Sequence, residues 1–145
     1  MDRLKLFALD AEDLAILSAH AQDAVVRVED MRWLAGERRF LMVMNRFVWE
    51  KRGGIDERRR SVFSFDRVES VKAAGIPRHA PGAVLSLLAA TFEPSPVEAE
   101  APAGTIVARF AGGGTLRIAV ECVEARLADV GGAWAARGRP IHDID

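Results

Sequence analysis

The chain has 145 residues, half of them hydrophobic, and its 20 basic and 21 acidic side chains leave a formal net charge of −1. The length fits one domain, and the charge balance argues against a dedicated non-specific nucleic-acid binder, which is usually distinctly basic. Cys122 is the only cysteine, so an intrachain disulfide and a cysteine metal cluster are excluded, which fits a reducing compartment. No apolar run approaches the length of a membrane span, so we expect a cytoplasmic protein without a membrane partner.

The first predicted element is a helix that begins after Asp10. The Asp10 side chain can cap the helix, and Asp13 places negative charge in the first turn, where the helix dipole favours it. Leu14, Leu17 and Ala21 recur at helical spacing and predict one apolar side.

Alternating apolar residues then predict extended segments. We expect two strands at about 25–34 and 39–49, joined as a hairpin. The stretch "SVFSFDRVESV" is interpreted as the next strand, and the glycines and prolines of "KAAGIPRHAPGAV" predict a loop. The apolar run "VLSLLAATFE" predicts a further strand.

The last third of the chain combines a loop, a hairpin and a helical pattern. Proline, alanine and acidic residues predict a mobile loop near 94–103. Alternation on both sides of Gly112-Gly113-Gly114 predicts a hairpin. Val123, Leu127 and Val130 then recur at helical spacing before Gly131 and predict a closing helix, followed by a loosely ordered tail near 135–145.

The order of these elements predicts a single α+β domain over residues 1–145. Strands that follow one another through short links pair antiparallel. We therefore expect a mainly antiparallel, strongly bent sheet or partly open barrel with an N-terminal and a C-terminal helix. Strands that end in one helix resemble the pattern of pleckstrin-homology-like barrels.

No motif in the sequence predicts catalytic, cofactor-binding or metal-binding residues. His20, His79 and His142 lack ligand spacing, and the acidic neighbours of Cys122 disfavour its thiolate. The triple glycine is not followed by the lysine and helix of a phosphate loop. A pair of catalytic carboxylates stays open, because such pairs converge in space and not in sequence.

The segment "EKRGGIDERRR", residues 50–60, is interpreted first as a solvated hairpin loop and alternatively as an anion-binding or partner-docking edge. Tryptophan and arginine are enriched at protein interfaces, and aromatic side chains also stack on single-stranded nucleic acid, which is the less favoured use here. The candidate interaction surface, called the arginine/tryptophan hairpin below, comprises Arg46, Trp49, Arg52, Arg58, Arg59 and Arg60.

Four phrases resemble an uncharacterised bacterial family, domain of unknown function 2948: "LKLFALDAEDLAILSAHAQDAVVRVEDM", "ERRFLMVMNRFVWE", "ERRRSVFSFDRVESVKAAGI" and "GGGTLRIAVECVEARLADVG". The resemblance covers about residues 3–142 and is weakest over 94–103. It implies a compact, single-domain, cytoplasmic bacterial protein and supplies no catalytic residues.

The sequence therefore predicts a non-enzymatic binding or protein-interaction module. Its partner would be another protein or a second copy of the chain, docked on the arginine/tryptophan hairpin, and no cofactor is expected. The alternative is a small ligand-binding domain or enzyme with a pocket between the sheet and a helix, because β-rich folds often bind ligands at the mouth of a barrel.

Overall fold

The computed structural model describes residues 3–48 and 58–130. This part of the chain contains one α-helix, α1 (Ala11–His20), and two short 3-10 turns, Ala35–Glu37 and Glu98–Glu100. It also contains nine strands, which are β1 (Lys5–Ala8), β2 (Val25–Leu34), β3 (Arg39–Phe47), β4 (Arg58–Phe65), β5 (Val68–Ala74), β6 (Val84–Pro94), β7 (Gly104–Phe110), β8 (Thr115–Val120) and β9 (Ala125–Asp129).

The nine strands form one antiparallel sheet in the order β1-β9-β4-β3-β2-β6-β7-β8-β5. The sheet is not closed, since β1 and β5 are its two ends and do not pair with each other. β4 and β5 are nevertheless consecutive in the chain, with only Asp66 and Arg67 between them. The far end of the sheet must therefore curl back towards its middle.

This two-residue link, Asp66–Arg67, is called the corner below, and hydrogen bonds fix it on both sides. Arg67 adopts a left-handed backbone with φ of 58°. The Asp66 amide donates to the Glu124 carbonyl at 2.9 Å, and the Arg67 carbonyl accepts from the Glu121 amide at 3.0 Å. The Val68 amide donates to the Arg38 carbonyl at 2.9 Å, which holds the start of β5 beside the start of β3.

Inward-facing side chains of the curled sheet form one hydrophobic core. Met42 on β3 lies opposite Phe63 on β4, which in turn lies opposite Leu127 on β9, and all three are fully buried. Helix α1 packs against β6 and β1 and buries Leu14 and Leu17.

The structure confirms the helix and the two hairpins predicted from the sequence. The Asp10 carboxylate accepts a hydrogen bond from the Asp13 amide at 2.8 Å, as expected of a cap. β2 pairs with β3, and β7 pairs with β8 across a turn in which Gly112 and Gly113 have φ of 91° and 99°. Glycine adopts such angles without the clash that a Cβ would cause.

The predicted C-terminal helix is wrong for the residues that the structure describes. Ala125–Asp129 form strand β9, which pairs with β1 and β4. Val123 and Leu127 are both buried. Burial of two residues four positions apart fits a helix, but a bend followed by a strand places both side chains in the core equally well. The likeness to pleckstrin-homology-like barrels relied on this helix and loses that support.

Two further elements differ from the sequence prediction. The short strand β1 was not anticipated, and "SVFSFDRVESV" contains two strands separated by the corner, with β5 continuing to Ala74. The segment 94–103 contains the 3-10 turn Glu98–Glu100. The predicted tail, 135–145, lies outside the described residues.

Replacing Gly104 with alanine should destabilise the protein by about 1–3 kcal/mol, the usual cost of overpacking. A Cβ at Gly104 would overlap the Glu93 carbonyl and the Phe92 ring across the β6–β7 pair. The matched control is Gly82→Ala, because nothing lies within 4 Å of a Cβ built there. Urea unfolding measures both variants, and equal stabilities would contradict the β6–β7 register.

Candidate functional site

The inward face of the sheet ends in a buried polar group, called the polar end, which consists of Arg46, Arg59, Ser61 and Asp129. Side chains two residues apart on a strand share a face. Arg46 therefore follows buried Met44 on the inward face of β3, opposite Arg59 on β4. The side chains of Arg46 and Asp129 are 0% and 1% exposed.

Asp129 is saturated with hydrogen-bond donors. The Arg46 Nε and Nη2 atoms donate to its two carboxylate oxygens at 2.8 and 2.9 Å. The Ser61 hydroxyl donates at 2.6 Å and the Leu4 amide at 2.9 Å. Burial raises the pKa of Asp129, but the hydrogen bonds from Arg46, Ser61 and Leu4 outweigh it and hold the pKa below its ordinary value. The polar end therefore joins β9 to β3, to β4 and to Leu4, the residue before β1, and its carboxylate is fully engaged.

These contacts correct the prediction of the arginine/tryptophan hairpin as one exposed surface. Arg46 is fully buried and Arg59 is only 7% exposed, because strand alternation turns both inward. Arg58, Arg59 and Arg60 begin β4 and do not form a loop.

The remaining members of that hairpin occupy different settings. Arg58 is exposed, with its guanidinium carbon 4.7 Å from the centre of the Phe47 ring, and Arg60 is half-buried. Trp49 and Arg52 lie outside the described residues. A role of Arg58 in docking a partner protein stays a prediction.

The described titratable residues considered for chemistry lie in settings that give no sign of a catalytic group. Cys122 is half-buried in the bend after β8. Glu69, Glu100 and Glu121 line one shallow, open depression. A hydrogen bond from Arg38 at 2.7 Å lowers the pKa of Glu121, whereas a catalytic carboxylic acid needs a raised pKa.

Neither a metal site nor a membrane-spanning helix occurs in residues 3–48 and 58–130. There, no three or more His, Cys, Asp or Glu side chains lie together in a way that could bind a metal ion. No helix in these two ranges is long and apolar enough to cross a membrane.

One apolar concave feature of the described chain lies where β2 is irregular. Its pairing with β3 shifts register between Val26 and Met31, and its pairing with β6 covers only Val25–Arg27. Beyond the irregularity, the second half of β2 pairs with β3 alone. β5 likewise pairs only with β8 in the described sheet. Two strands with unpaired edges therefore lie on either side of a gap.

This gap is a cleft of about 270 Å³, called the seam cleft below. Phe40 and Leu116, each 3% exposed, are its most buried lining residues. The other apolar lining residues come from β2, β5 and the loop after β5, and are Val28, Met31, Trp33, Val71, Ala73 and Ile76. The seam cleft is thus an extension of the core that opens to solvent.

Two lining residues stand out because of their exposure or charge. Trp33 is 38% exposed. This exposure is notable because tryptophan has one of the largest apolar side chains, which proteins usually bury. Arg78 is the charged member of the described lining, and it is exposed. No ion pair or side-chain hydrogen bond joins Arg78 to any other residue in the described ranges.

Residues 4–142 match the model of a family described as "Protein of unknown function (DUF2948)". The chain belongs to this family. The match confirms the resemblance found in the sequence over nearly the same residues. No curated protein and no solved structure matches the chain. A role for this DUF2948 protein therefore has to be argued from its own geometry.

Sequence reasoning did not identify the seam cleft of this DUF2948 chain. Met31, Trp33 and Phe40 are assigned to strands by the sequence, but the sequence does not reveal that β2 departs from β6 after Arg27. The loop after β5 did carry a signal, since Ile76 is its one large apolar residue and stands two positions before Arg78.

Asp129→Asn should destabilise the protein by about 3–5 kcal/mol at pH 7, because Arg46 would keep its buried charge without its carboxylate. The control Glu29→Gln removes an exposed pair with Arg27 and should cost less than about 1 kcal/mol. Urea unfolding measures both.

The difference between wild type and Asp129→Asn should also shrink in acid. The folded pKa of Asp129 lies below its unfolded value, so its contribution is complete above the unfolded pKa and is lost as pH falls through the folded pKa. Unfolding at pH 7, 5 and 3 measures this trend, and a constant difference across the three would contradict the assigned charge pair.

Proposed function

We propose that this protein is a non-enzymatic binding module whose ligand places an apolar group in the seam cleft. The observation that carries the proposal is the cleft itself, an open extension of the core with two buried apolar residues, Phe40 and Leu116, in its lining. Ligand sites are typically concave and mostly apolar, with a few polar groups that fix orientation.

The exposure of the lining provides the driving force. Met31, Val71 and Ile76 retain contact with solvent although they pack against the core, and Trp33 is exposed. A ligand that covers this surface gains about 25 cal/mol for each Å² of apolar area removed from water. Since the two strand edges do not meet, the ligand would fill space that the sheet leaves open.

The chemistry of the lining supports binding over catalysis. Its described members are aliphatic or aromatic except for Arg78. General acid–base and nucleophilic catalysis need a His, Cys, Ser, Lys or carboxylate within hydrogen-bond reach of the substrate. A guanidinium is protonated at all physiological pH values and provides charge and orientation.

The proposed site differs from both sites considered from the sequence alone. The alternative placed a pocket between the sheet and a helix, whereas Leu14 and Leu17 of α1 are buried against the sheet. The arginine/tryptophan hairpin contributes no described residue to the seam cleft. A protein partner or a second copy of the chain could still provide the apolar group.

Binding of 1-octanol, a neutral probe, tests the proposal and is measured by isothermal titration calorimetry. Substitutions that fill the cleft should weaken this binding. Wild type should bind with a dissociation constant on the order of 0.1–1 mM, as expected for a small apolar ligand. Ala73→Leu adds bulk to the lining and should weaken binding at least tenfold. Ala74→Leu is the matched control, because Ala74 is exposed and lies on the opposite face of β5.

Circular dichroism and thermal melting show whether both leucine variants keep the fold. A second variant, Trp33→Ala, should also weaken 1-octanol binding, since it removes one wall of the cleft. If 1-octanol does not bind to wild type, or binds equally to a folded Ala73→Leu protein, the proposal is wrong.

A further inference from the structure

We infer that the ligand of the seam cleft is a monocarboxylate with an apolar body, whose carboxylate binds the guanidinium of Arg78. The inference rests on the proposed function and adds the ligand's charge, size and orientation.

The charge of the ligand follows from the pairing of the arginines around the corner and the cleft. Arg38 pairs with Glu121, Arg39 with Asp66, and Arg67 with Glu124, at 2.7, 2.7 and 3.1 Å. Arg78 differs from these three because its guanidinium has no acidic partner among the described residues. No acidic residue occurs in the described lining of the cleft either. An anionic group at this position would therefore meet one positive charge and no negative charge from the described lining.

Short backbone contacts position Arg78. The Arg78 amide donates to the Ile76 carbonyl at 2.8 Å, and the Ala80 amide donates to the Pro77 carbonyl at 2.9 Å. The far end of the same loop is bound to β2, since the Val28 amide donates to the Ala83 carbonyl at 3.0 Å. The loop thus spans from β5 to β2 with Arg78 on it, and a bound anion needs little reordering of the backbone.

A carboxylate matches the site better than a phosphate does. One guanidinium can donate two parallel hydrogen bonds to a carboxylate. Phosphate sites usually supply several donors, such as the free amides of a helix N-terminus, and the described lining includes no helical residue.

The volume of the cleft limits the apolar body. At the ~30 Å³ that a water-sized group occupies in a liquid, 270 Å³ accommodates about nine non-hydrogen atoms. An eight-carbon chain fills this space with its carboxylate outside, at the exposed Arg78. A long-chain lipid would leave most of its tail in water.

Three probes of eight carbons each separate charge from apolar contact. The alkyl tail of octanoate is one methylene shorter than that of the other two, which works against the advantage expected for octanoate. Octanoate, 1-octanol and octylammonium are titrated into the full-length protein by isothermal titration calorimetry at low salt. Octanoate should bind about fivefold more tightly than 1-octanol, the scale of an exposed ion pair, and octylammonium should bind most weakly. The advantage of octanoate should decline as salt is raised.

Arg78→Gln should remove the advantage of octanoate, so that the ratio of its affinity to that of 1-octanol falls from about five to about one. The matched control is Lys72→Gln, which removes one exposed positive charge from the opposite face of β5 and should change neither affinity. If octanoate binds no more tightly than 1-octanol, or if Arg78→Gln does not affect it, the inference is wrong while the proposed function stands. If none of the three probes binds, both are wrong.

Discussion

The corner at Asp66–Arg67 is the constraint on which the rest of the structure depends. It joins β4, near one end of the sheet, to β5, the last strand at the other end, through two residues. Hydrogen bonds between Asp66 and Glu124 and between Val68 and Arg38 fix β5 beside β3. A nine-stranded antiparallel sheet that is tied in this way has to curl around one core. The sheet does not have to close into a barrel, because the corner fixes only the first part of β5.

Two features with different roles follow from this geometry. Near the free end of β9, strand alternation brings Arg46 and Asp129 into the interior, where they satisfy each other and hold four strands together. Beyond the corner, β5 and the second half of β2 diverge and leave the seam cleft, whose apolar surface has no counterpart among the described residues. The buried charge pair belongs to the interior of the fold, whereas the seam cleft, with its solvent-exposed apolar surface, is the site that we propose for binding. A single exposed arginine, Arg78, sets the preferred charge of the ligand.

Short sequence patterns predicted the elements whose conformation depends mainly on residues close together in the chain. The Asp10 cap, the α1 face of Leu14 and Leu17, and the glycine turn at 112–114 could be read directly from the sequence. Features that depend on non-local pairing could not. Leu127 has helical spacing to its neighbours but is held in β9 by β1 and β4, and Arg46 appears in the sequence as one more surface arginine until Asp129 is found beside it. The seam cleft combines side chains from five separate segments, so no single stretch of sequence contains its signal.

We propose that this protein binds its ligand at the open seam and not at the arginine-rich start of β4. Backbone amide chemical shifts of the isotopically labelled protein, recorded during a titration with octanoate, test it most directly. We expect the largest shift changes at Val28–Trp33, Val71–Ala73, Ile76 and Arg78. Shift changes confined to Phe47 and Arg58–Arg60, or to α1, would contradict it.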